Sequence, residues 1–136
     1  MKPVLGIGVA LLVALGGGWA WGASGRSALN RVLGIAELRD GLLEGRAAVL
    51  DARLDIYGVN FGDASRHLEA ARSALRVAQA RLTDQGRQED AKQLTIALTR
   101  IDEAQRMAGR LNQDANALAA DAAKTLDDVI GSTAKR

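Results

Sequence analysis

The side chains best suited to acid–base or metal chemistry near neutral pH are one histidine, His67, and 16 carboxylates, in a chain without cysteine. A metal site needs several His, Cys or carboxylate ligands converging on one side. His67 has Ser65-Arg66 before it and Leu68-Glu69 after it. Residues one and two apart on a helix do not face one another, so this stretch brings no nucleophile and base together. His67 is therefore expected to be a surface or boundary histidine. The glutamate-x-x-histidine pairs of di-iron bundles do not occur in the chain. Most carboxylates have an arginine or lysine three or four residues away, as Asp102 has Arg106, while Asp51 and Asp55 weakly oppose one another. Gly16-Gly17-Gly18 lies inside an apolar run, not in the strand–turn–helix setting of a phosphate loop. The lack of cysteine removes disulfides and thiolate ligands. No catalytic, cofactor-binding or metal site is expected, and no small-molecule substrate is evident.

Charge narrows the partners. The 18 basic and 16 acidic side chains are interspersed and leave a net charge of +2. Nucleic-acid binding wants a clustered basic face, so no nucleic acid is expected. Aromatic residues make up 3% of the chain and its one proline is Pro3. A sheet-rich domain would want more β-branched and aromatic residues and more turn punctuation.

The elements that could position a site begin with an apolar head. No charged residue occurs from Pro3 to Gly25, a run long enough to cross a bilayer as a helix, which takes ~20 apolar residues. Small residues recur at every fourth position: Gly6, Ala10, Ala14, Gly18 and Gly22. On a helix they would form one groove that lets a second membrane helix approach closely. Trp19 and Trp21 sit where interfacial anchors belong, near the far end of the span. The same head also reads as a secretory signal peptide, with Met1-Lys2 as a minimal basic start. Gly18-Trp19-Ala20 and Ala20-Trp21-Gly22 both have the small-residue spacing of a cleavage site. Lys2 argues for a cytoplasmic start, whereas Arg26 and Arg31 argue the other way. The preferred orientation places the body outside.

Beyond Ser27 the apolar residues keep a 4-3 rhythm. Leu29, Leu33, Ala36, Leu43, Ala47, Leu50, Leu54 and Tyr57 carry it first, with Asp40 the one polar member. Phe61, Ala64, Leu68, Ala71, Leu75, Ala78 and Leu82 continue it. Leu94, Ala97, Ile101, Ala104, Ala108, Leu111, Ala115, Leu118, Ala122 and Val129 repeat it. Sustained 3.5-residue spacing predicts helices packed along a narrow seam. Alanine alternating with leucine favours closely spaced antiparallel axes. Asp40 would then lie on the buried phase, either fixing register opposite Lys92, Arg100 or Arg106, or simply exposed near the membrane. Tyr57 and Phe61 would plug one end of the bundle.

Two breaks are visible. At Gly58-Val59-Asn60, Gly58 would cap one helix and Asn60 would start the next, with Asp63 in its first turn. At Asp84-Gln85-Gly86, Gly86 would stop the helix and Gln88-Glu89-Asp90 would open another. The spacing predicts helices at about 26–57, 61–84 and 88–130. The competing reading keeps 26–85 as one long helix, or packs 43–85 against 88–130 as a hairpin on a stalk. Asn60-Phe61 with Ala64, Leu68 and Ala71 resembles the second helix of a tetratricopeptide repeat. The likeness spans about a dozen residues, does not recur one repeat later, and implies no function here.

The sequence thus predicts an all-α protein: an N-terminal transmembrane helix or signal peptide at 1–25, a slender antiparallel three-helix bundle at 26–130, and a flexible tail at 131–136. The alternative is a long stalk helix with a coiled-coil hairpin. Its expected role is that of a membrane-anchored interaction or scaffold protein working through helix packing. The expected partners are the bilayer and either a second copy or another protein. The expected place is a bacterial-type inner membrane, with the body in the periplasm. The rival is an exported, signal-cleaved helical binding or chaperone-like protein.

Overall fold

The computed structural model describes the backbone of residues 2–135 and the surroundings of residues 25–135. It is all-helical, with four helices and no strand among the described residues: α1 Lys2–Tyr57, α2 Phe61–Asp84, α3 Gln88–Ala108 and α4 Ala115–Ala134. Two units divide the chain, Met1–Ile35 and Ala36–Arg136. In the first unit, Leu29, Val32, Leu33 and Ile35 are exposed. The second unit holds the rest of α1 and the three shorter helices.

Three helix ends use one device. Asn60 N–H bonds to the Asp55 carbonyl (2.8 Å) while Val59 N–H bonds to that of Ile56 (3.1 Å). Arg87 and Gly86 repeat the pattern on Leu82 and Thr83, and Asn112 and Leu111 repeat it on Met107 and Ala108. These are Schellman caps, which need a left-handed residue just past the helix. Val59 (φ 62°), Gly86 (φ 71°) and Leu111 (φ 57°) supply it. The left-handed residue of the first break is thus Val59 and not Gly58, and Asn60 starts α2 without a side-chain cap bond.

The third expected helix, 88–130, is two helices. Leu111 leaves the seam to become a cap residue, 71% exposed. Asn112 Oδ1 then accepts a bond from Asp114 N–H (2.8 Å), which turns the chain into α4. The rhythm survives this turn because Ala108 and Ala115, both buried, are one heptad apart in number. The expected three-helix bundle is therefore a four-helix one. At the far end α4 continues to Ala134, and the Ser132 hydroxyl lies 2.6 Å from Asp90 Oδ1 and 2.8 Å from the Val129 carbonyl.

Interhelix polar pairs define the order of the second unit. Glu37 meets Arg81 and Asp55 meets His67, so α1 runs antiparallel to α2. Arg72 meets Asp102 and Gln79 meets Thr95 between α2 and α3. Asp90 meets Ser132 between α3 and α4. Arg46 meets Asp127 and Arg53 meets Asn116, which closes α4 back onto α1. Where two pairs join the same helices their numbers run in opposite directions, and with the short turn between α3 and α4 this gives an up-down-up-down bundle.

Its core is apolar throughout, and no polar or charged residue is buried among the described residues. Every expected core position of α2 is buried, from Phe61 to Leu82. On α1 the buried series is Leu38, Leu42, Val49, Ala52 and Ile56. The expected α1 series faces outward instead: Leu43, Leu54 and Tyr57 are exposed, and so are Ala36, Asp40 and Ala47. Both series have 4-3 spacing on nearly opposite sides of one helix, and the bundle uses the one that includes Gly45. Gly41 lies against Ala74 and Ala78 of α2, and Gly45 lies under Leu75. That close approach selects the face. Phe61 is buried as expected at the end of the bundle, whereas its companion Tyr57 is not.

Candidate interaction surface

The outward face of α1 is the feature of the second unit that the core does not explain. Leu54 is 70% exposed, Tyr57 72% and Leu43 43%, while Leu50 is half-buried and packs in part against the core. They recur at heptad spacing along 43–57, with Ala47 exposed between them. Single exposed apolar residues are ordinary, and it is the periodicity of this row that makes it the candidate. Asp40 continues this row and is exposed, so it is not a buried register residue facing Lys92, Arg100 or Arg106.

Polar groups bracket the bundle without forming a reaction centre. His67 Nδ1 lies 2.6 Å from Asp55 Oδ2, a half-exposed histidine tied across α1 and α2. Arg72 pairs with Glu69 and lies 3.4 Å from Asp102. Its guanidinium, helped by the Gln105 amide, holds the Glu69 carboxyl below the usual glutamate value. A depression of about 330 Å³ is lined by Arg72, Asp102, Gln105 and Arg106, and in it Arg72 and Asp102 already engage one another. No group of three or more His, Cys, Asp and Glu able to hold a metal ion occurs among the described residues.

The small-residue series Gly6, Ala10, Ala14, Gly18 and Gly22, and the two tryptophans Trp19 and Trp21, lie outside the residues whose surroundings are described. Among the described residues, no helix is long and apolar enough to cross a membrane. The structure instead brings forward Gly41 and Gly45, which the sequence reading passed over. The signal for them was a second small-xxx-small step, flanked by Leu38 and Leu42.

No known family matches the chain, and no curated protein or solved structure matches it.

Proposed function

We propose that this chain is a membrane-anchored helical interaction or scaffold protein, acting by helix packing and not by catalysis. The exposed heptad row on α1 carries the reading. A helix apolar on two sides has one more face than its bundle fills. The uncharged run from Pro3 to Gly25 supports the tether, with Trp19 and Trp21 as interfacial anchors and the five small residues as a helix-packing groove. The proposed place is a bacterial-type inner membrane with the bundle on the periplasmic side.

A second reading makes the protein an exported helical binding module freed by signal cleavage. The small residues flanking Trp19 and Trp21 favour it. Intact mass of the protein recovered from membranes and from the periplasm decides between the two. The tethered form keeps its full mass and resists carbonate extraction. Cleavage would remove about two kilodaltons and release the remainder.

A further inference from the structure

The exposed row on α1 is bordered by two charged rows of opposite sign. In heptad terms Leu43, Leu50 and Tyr57 are d positions, and Asp40, Ala47 and Leu54 are a positions. The e positions on one flank are Glu37, Glu44 and Asp51. The g positions on the other flank are Arg39, Arg46 and Arg53. Flanking e and g charges set partner choice and orientation in coiled coils. A helix that is acidic along one flank and basic along the other is complementary to itself in one arrangement. In a parallel, in-register pair each g residue meets the e residue five positions on in the other helix. Arg39 then faces Glu44 of the second copy, and Arg46 faces Asp51. An antiparallel pair would set arginine against arginine and acid against acid.

We infer that α1 of this protein pairs with α1 of a second copy as a parallel, in-register coiled coil over residues 36–57. The bundle occupies the opposite side of the helix, where Leu38, Leu42, Val49, Ala52 and Ile56 are buried, so pairing needs no unfolding. Arg39, Glu44 and Asp51 are exposed and in position to pair. Glu37, Arg46 and Arg53 already meet Arg81, Asp127 and Asn116 of the bundle, which makes Arg39 with Glu44 the pair to test. Asp40 is the one polar residue in the row. Two aspartates facing each other at an a layer weaken the pair while holding its register. This inference deepens the helix-packing reading and rests on its interaction half alone, since it is indifferent to whether the head is retained.

The natural lack of cysteine makes the test direct. Residues facing their own copies across a parallel seam come within disulfide range. Full-length Leu43→Cys and Leu54→Cys, purified and mildly oxidised, should form covalent dimers. Val77→Cys on α2 and Ile96→Cys on α3, exposed elsewhere, should stay largely monomeric. In the Leu54→Cys background, Arg39→Glu should cut the dimer yield about three- to tenfold, and Arg39→Glu with Glu44→Arg should restore it. Asp40→Leu should raise it. Circular dichroism of each variant checks folding. Equal cross-linking at Val77 and Leu54 would overturn the inference, and so would a charge swap that fails to rescue. A retained or cleaved head, read from the same samples by mass, decides the tether separately.

Discussion

Gly45 is where one hydrogen atom decides a helix contact. A Cβ built there would lie 2.5 Å from both Cγ and Cδ2 of Leu75. Leu75 is fully buried and cannot swing away. Gly45→Ala gains about 1 kcal/mol of helix propensity but overpacks the core at about 1–3 kcal/mol, so a small net loss of stability is expected. Leu75→Ala alone should cost about 2–5 kcal/mol. The double variant should lose clearly less than the two single losses added, because the new methyl enters the space vacated by the leucine. Urea denaturation of the four proteins measures this cycle, and strict additivity would mean that the two residues do not share a cavity. Leu75 could be read from the sequence, since its row has only apolar members. Gly45 was passed over because a glycine inside a helix reads first as a weak spot and only second as a contact.

At the scale of elements, the residue after each helix decides how firmly the turn is set. An L-residue in the left-handed region costs roughly 1–2 kcal/mol, whereas glycine there costs only its extra unfolded-state entropy, about 0.5–1 kcal/mol. Val59 and Leu111 bear the first cost, and Gly86 avoids it. Val59→Gly and Leu111→Gly are therefore expected to stabilise by about 0.5–1 kcal/mol, while Gly86→Ala should destabilise by about 1 kcal/mol. Thermal melts rank the three, and a loss of stability in Leu111→Gly would sink the cap assignment. The same turns explain which elements were legible. Gly86 announced its break by composition, and Gly58 signalled the first one a residue early. The α3–α4 break hid because Leu111 looks like a seam residue and because its turn preserves the heptad count. Gly109, Asn112 and Asp114 were its visible signs. The face of α1 was misread for a different reason: a helix with two apolar rows at the same spacing gives no intrinsic preference, and only the partner helices choose.

For the whole molecule, orientation links the two surfaces through which copies could meet. If the proposed tether holds the head of each copy in the same sense, every chain leaves the bilayer on the same side. The acidic and basic flanks of the α1 row favour a parallel pair on their own account. Each proposed surface alone would be modest: the α1 row contains two alanines and Asp40, and the head groove would offer only van der Waals packing. Joined in one chain, one proposed contact would raise the effective concentration for the other to about millimolar if both can form at once. The proposed head groove then makes a graded prediction. In liposomes at low protein density, adding Ala14→Ile or Gly18→Ile should lower Leu54→Cys cross-linking without abolishing it, and the residual yield should still exceed that of Val77→Cys. Leu12→Ile, off the groove, should change little. If Ala14→Ile and Leu12→Ile behave alike, the small-residue series is compositional and the head serves only as a tether. If Ala14→Ile removes cross-linking altogether, the α1 row does not associate without the head, and the self-complementary charges of Arg39 and Glu44 would need a different partner.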